Sequence, residues 1–192
     1  LLAGLPSLDI LDIGGGFPVS YNDAVTPIDE FCRPIREALA KLPSHVRVIA
    51  EPGRFIAAPA AIAISSVMGR AKRDGRWWYY LDDGLYGSYS GQLFDHAKYP
   101  VTTLRHEGEL HPSVLAGPTC DSIDVIDDNI MLPELEVGDL VVGRMMGAYT
   151  WASATDFNFF KRAKVVVMHE QPADAKRVVS LRKAAGGRCR AA

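Results

Sequence analysis

Five short segments of this chain pair chemically active residue types with turn residues that would expose them. Gly14-Gly15-Gly16 follows an apolar run. Amides without flanking side chains can close on a phosphate, and glycine permits the φ angles required. The triplet also reads as a plain tight turn, and it is neither a Walker-type phosphate loop nor a GxGxxG pattern. Glu51-Pro52-Gly53-Arg54 sets a carboxylate and a guanidinium three residues apart. A guanidinium suits a phosphate and a carboxylate suits a protonated ring nitrogen, unless the two simply form a surface ion pair. Gly117-Pro118-Thr119-Cys120-Asp121-Ser122 puts a thiol next to a carboxylate in a loop. Reactivity there competes with the usual role of a lone Cys as a small buried hydrophobe. Asp95 is a cation-binding carboxylate or a turn residue, and Asp82 to Gly87 reads mostly as tight turns. Tyr149, in Gly147-Ala148-Tyr149-Thr150, reaches a phosphate or sits in the core with one hydrogen bond. No metal site is expected: His106 and His111 lack helical zinc spacing, and neither HExxH nor GxSxG occurs.

These groups need elements to hold them. Leu8 to Ile13 reads as a buried parallel strand that feeds the glycine turn. Ile28, Phe31, Cys32, Ile35, Leu39 and Leu42 recur at helical spacing up to Pro43. Thr26 is the expected N-cap, with Pro27 at the first helical position, Asp29 completing a capping box, and Pro34 kinking the helix. His45 to Ala50 reads as a second strand that runs into Glu51. The first 60 residues therefore read as βαβ, with polar groups at the carboxyl ends of both strands, where parallel α/β sheets bind ligands. Beyond that, Ala60 to Val67, Trp77 to Leu81, Ser113 to Ala116, Asp139 to Val142 and Lys164 to Met168 are short β-like runs in a mostly antiparallel sheet. The expected boundary lies near residue 58, and residues 169–192 read as a basic tail, disordered in character.

The composition narrows the class. The chain has 192 residues, 48% apolar and 23% charged. A net charge of -2 gives no basic footprint, so nucleic acid is not an expected partner. Phe55 to Met68 is too short and too interrupted to span a bilayer. Cys32, Cys120 and Cys189 are odd in number and far apart, which favours a reducing, cytoplasmic setting over a disulfide framework. The start lacks both Met and a basic leader, and reads as a chain entered in the middle. A full (β/α)₈ barrel with a second domain does not fit this length.

Taken in order, LDIGGGFP, EPGRF, DDGLYGSYSG, FDHAKYP, GPTCDSID and MGAYT resemble the C-terminal part of barrel-type, pyridoxal-phosphate-dependent decarboxylases. This is the ornithine, diaminopimelate and arginine decarboxylase family, with alanine racemase as a folded relative. The resemblance implies the last strands of an incomplete (β/α)₈ barrel over residues 1–57, followed by a mostly antiparallel β domain over 58–168. It implies that Gly14, Gly15, Gly16, Arg54 and Tyr149 hold the cofactor phosphate and that Glu51 pairs with its pyridinium nitrogen. Cys120 would return a proton to Cα after carbon dioxide leaves. Asp95 and Asp121 would hold the distal ammonium of a diamino acid, with ornithine giving putrescine in polyamine biosynthesis. Asp121 stands where diaminopimelate enzymes typically carry Glu, which favours a plain diamine-type substrate. The resemblance also implies a homodimer whose loop with Cys120 and Asp121 serves the partner's cofactor.

The sequence departs from the family pattern at the cofactor lysine. The PxxAVK segment that carries the cofactor lysine is absent, and Lys41, Lys72, Lys98, Lys161, Lys164, Lys176 and Lys183 stand in other contexts. The chain is therefore expected to be inactive alone. Two rival expectations are an inactive decarboxylase-like protein that binds a polyamine regulator and a remnant with no stable product.

Overall fold

The computed structural model describes residues 8–105 and 107–168. The residues expected as a basic tail, 169–192, lie outside this range.

Two sheets organise the chain. Strand β1 (Ile10–Asp12) pairs in parallel with β2 (Arg47–Ile49), and helix α1 (Ile28–Leu39) connects them. This is the expected βαβ unit, with three corrections. Pro27, not Thr26, occupies the N-cap position, and no side chain caps the helix. The Thr26–Asp29 capping box therefore does not form, although Asp29 and Glu30 still place negative charge at the helix start. Pro34 lies inside the helix. The strand expected to be buried is not: no residue of α1 is buried, and Ile10 and Ile49 remain 42% and 40% exposed. The reason is layer count. Phe31, Ile35, Leu39 and Leu42 face Leu11, Ile13 and Phe17 across an open groove of about 490 Å³, and a two-stranded sheet covers only one side of that stripe.

The second sheet holds the core. It contains β3 (Ala63–Arg73), β4 (Arg76–Leu81), β5 (Val101–Thr103), β6 (His111–Ala116), β7 (Val125–Leu132) and β8 (Leu140–Gly143). Their spatial order is β5-β8-β3-β4-β6-β7. Every neighbouring pair is antiparallel except β4 and β6, which run in parallel from Trp77↔Ser113 to Tyr80↔Ala116. The mostly antiparallel expectation holds. Short helices α2 (Gly53–Ala57) and α3 (Gly91–Asp95) sit at strand connections. Lys164 to Met168 forms no strand: Val165, Val166, Val167 and Met168 are exposed and find no ladder partner among the described residues. A β-prone run without a partner strand leaves its backbone to water. No helix in the described range is long and apolar enough to cross a membrane.

Period-two alternation explains the core. Ala63, Ser65 and Val67 on β3 point inward while Ile64 and Met68 point out. Val67, Tyr79, Leu81, Tyr89, Leu115, Leu135 and Val141 are each no more than 1% exposed and share one cluster. The Leu135 N–H donates to the buried Tyr79 hydroxyl at 3.0 Å, so this Tyr brings its own partner into the core. Gly147 is pressed against the Ala57 carbonyl, leaving no room for a Cβ.

Truncating Leu135→Ala should cost about 2–5 kcal/mol. Gly147→Ala should also destabilise, by about 1–3 kcal/mol, because the Ala57 segment must shift. Urea unfolding followed by tryptophan fluorescence checks both, and wild-type midpoints would refute this account of the core.

Candidate active site

The glycine turn and the Glu51 segment are built as one unit. The Glu51 N–H donates to the Gly14 carbonyl at 2.8 Å, extending the β1–β2 pairing past the strand ends. Gly14 and Gly16 adopt φ of +72° and +81°, a region that favours glycine. A Cβ on Gly15 would lie 2.6 Å from the Glu51 carbonyl oxygen, so only glycine lets the two segments meet. The three amides are not equivalent. That of Gly14 already donates to Asp12 Oδ1 at 2.8 Å, while those of Gly15 and Gly16 have no intrachain acceptor among the described residues.

Arg54, on the first turn of α2, gathers the second part. Its guanidinium pairs with the Asp95 carboxylate at the end of α3 and lies 5.1 Å above the Tyr149 ring. Tyr149 is itself in the left-handed region at φ +52°. It is anchored through its carbonyl, which accepts from the Tyr99 hydroxyl at 3.4 Å. Tyr21 meets Tyr99 edge-on at 5.5 Å, and burial pushes the Tyr99 phenol up to about 12. Arg54, Tyr149 and Asp95 are thus brought together, close in the chain fold to Tyr21 and Tyr99, which sequence reading did not select. Aromatic residues 50 or more positions apart carry no local signature of such a wall.

The loop after β6 forms a separate cluster. Cys120 is exposed. Asp121 accepts from the Tyr86 hydroxyl at 2.5 Å and from the Ile123 N–H at 3.2 Å. These two donors, Tyr86 foremost, hold the Asp121 carboxyl below the usual carboxylate range, and the same bond pushes the Tyr86 phenol up to about 12. Beneath them lies Asp124, only 2% exposed. Its carboxylate accepts from the Leu85 N–H at 2.8 Å, the Thr119 N–H at 3.0 Å and the Thr119 hydroxyl at 2.7 Å. Asp95 and Asp121, expected to act on one ammonium, have different partners within the chain: Arg54 for one and Tyr86 for the other. Among the described residues no group of His, Cys, Asp and Glu is arranged for a metal.

Tyr86→Phe removes the strongest donor to Asp121. The folded-state pKa of Asp121 is now depressed, so its anion persists to lower pH than an ordinary carboxylate. In the variant the Asp121 titration should move to higher pH, toward the ordinary range. Carboxyl NMR titration reads this directly, and an unmoved midpoint would discount the hydrogen bond.

Comparison with known proteins gives this geometry its context. Residues 21–147 match the family described as pyridoxal-dependent decarboxylase, C-terminal sheet domain. A lysine/ornithine decarboxylase of Selenomonas ruminantium is 39% identical over 169 residues, covering 88% of this chain and 43% of that protein. A crystal structure of a lysine/ornithine decarboxylase from Vibrio vulnificus, complexed with cadaverine, superposes with a TM-score of 0.84 at 64% identity. It covers 88% of this chain and 46% of that one. The putrescine complex from the same organism has the same identity and coverage, with a TM-score of 0.82. The chain spans less than half the length of these relatives. With the sheet order, the glycine turn and the two acidic loops in place, the chain belongs to the pyridoxal-dependent decarboxylases and carries their C-terminal sheet domain.

Proposed function

We propose that this chain supplies one part of an active site for pyridoxal-phosphate-dependent decarboxylation of a basic diamino acid, with ornithine to putrescine as the reaction. The observation that carries the proposal is the glycine turn bonded to Glu51, with Arg54 three residues on gathering Asp95 and Tyr149, while a separate acidic loop of the same chain bears a thiol. The residues present fit the cofactor. The Cβ positions of Gly14 and Gly16 open onto space free of protein atoms, which leaves a cradle for an anion. A guanidinium has five donors, so Arg54 can keep Asp95 on one edge and still offer another.

Pyridoxal phosphate, when bound, supplies the electron sink for the carbanion left by loss of carbon dioxide. The amides of Gly15 and Gly16 and the Arg54 guanidinium hold the phosphate, and the Tyr149 ring fixes the Arg54 plane. Glu51 keeps a ring nitrogen protonated by accepting its hydrogen bond. Cys120 gives a proton to Cα. Asp121, held ionised by Tyr86, and Asp95 take the distal ammonium, which selects a second positive charge over a neutral side chain. Because Asp95 and Asp121 belong to separate clusters within one chain, a homodimer that brings one chain's Cys120 loop to the other's Arg54 cluster suits them. A reducing cytoplasm suits an exposed thiol.

The test is the intact polypeptide carrying this sequence, loaded with pyridoxal phosphate and offered ornithine and lysine separately. The expected outcome is carbon dioxide and putrescine from ornithine, with turnover about 10²–10⁴-fold lower in Cys120→Ala. Asp121→Asn should raise KM more than it lowers kcat. No carbon dioxide from ornithine, or a clear preference for lysine, would overturn the assignment. The 192-residue chain alone, reduced with borohydride in the presence of cofactor, should show no lysine adduct. A stoichiometric adduct with ornithine turnover would show that it acts unaided.

A further inference from the structure

We infer that Asn158 is a positioning residue for the Cys120 thiol, orienting the sulfur and holding the charge left on it once its proton has gone. This rests on the reading of Cys120 as the proton donor. Asn158 Nδ2 donates to Cys120 Sγ at 3.5 Å, across 38 residues of chain. The contact is held from both sides. The Thr155 N–H donates to the Tyr86 carbonyl at 2.8 Å, and the Phe157 ring stacks on the Tyr86 ring at 4.2 Å and 27°. Tyr86 in turn holds Asp121, next to Cys120. One turn therefore docks on the residue that orders the carboxylate and reaches over to the thiol.

The backbone conformation supports a selected geometry. Asn158 has φ +54° and Phe159 has φ +60°. Asn visits the left-handed region more readily than most residues, but a Phe there is uncommon and costs strain. The turn is held by Phe157 N–H donating to Thr155 Oγ1 at 3.3 Å and by the Arg162–Asp156 ion pair. An N–H aimed at sulfur binds a thiolate more strongly than a thiol. In the step itself the S–H bond breaks, its electron pair stays on sulfur, and a C–H bond forms from the electron pair on Cα. Water later returns a proton to the sulfur. The Asn158 amide stabilises the intervening sulfur anion.

The test is alkylation of Cys120 by iodoacetamide near neutral pH, in the intact polypeptide, quantified by peptide mass. Asn158→Gly keeps the left-handed backbone and removes the amide. It should slow alkylation about three- to tenfold, since the sulfur loses the N–H that stabilises its negative charge. Asn158→Asp keeps the shape, replaces the donor with a charge of the wrong sign, and should slow it further. A role confined to holding the loop shut predicts faster alkylation when the turn loosens. Unchanged or faster alkylation in both variants overturns the inference. Cys120→Ala in the loaded enzyme separates the two readings. Full turnover there ends the proton-donor reading and leaves the thiol contact standing. Lost turnover, with wild-type alkylation in the Asn158 variants, does the reverse.

Discussion

The buried carboxylate of Asp124 is the constraint on which the acidic half of the site depends. Because β4 and β6 are the one parallel pair in the sheet, their carboxyl ends leave at the same edge. The loops that follow, one with Leu85 and Tyr86 and one with Cys120 and Asp121, meet at the surface in the Tyr86–Asp121 hydrogen bond. Asp124 joins them by accepting from Leu85 on one side and Thr119 on the other. A buried carboxylate is stable only when its lone pairs are met, and three donors meet them here. Glycines at 84 and 117 let the backbone come close enough, since a Cβ at either position would strike this carboxylate. The geometry is therefore set by one carboxyl group and two absent side chains.

Charge is arranged around that anchor with opposite sense at the two clusters. Arg54 brings positive charge to the glycine turn, compensated by Asp95 and the Tyr149 face. Asp121 brings negative charge to the thiol loop, and Tyr86 and the Ile123 amide keep it ionised. A ligand with an anionic end and a cationic end is complementary to such a pair.

Much of this was legible in the sequence, and the reasons for the rest are physical. Both parallel strands were readable because an apolar run ending in Gly-Gly-Gly or in Glu-Pro-Gly has few other solutions. The helix was readable from Ile28, Phe31, Ile35 and Leu39. Strand β7 was missed because Asp127, Asp128 and Asn129 interrupt its apolar pattern; pairing with β6 overrides their low propensity. The run from Lys164 to Met168 failed in the opposite way, with propensity and no partner among the described residues. Tyr86, Asp124 and Asn158 went unselected because each makes a contact that lies 35 to 39 residues away in sequence. An Asp in a turn-rich segment reads as a turn residue until the fold shows what it accepts.

The thin packing around β1 and β2 has a thermodynamic corollary. Three-residue strands with no buried side chain should open by local fraying, so their amide protons should exchange rapidly. Those of Tyr79 and Leu115, fully buried in the larger sheet, should wait for global opening. The glycine turn hangs on the loosely protected part and the thiol loop on the firmly protected one. An anion that bridges Gly15, Gly16 and Arg54 would bind only the closed arrangement, and by linkage would stabilise the strands that present it. Occupancy of the phosphate cradle and order in the first βα unit would then be two readings of a single equilibrium.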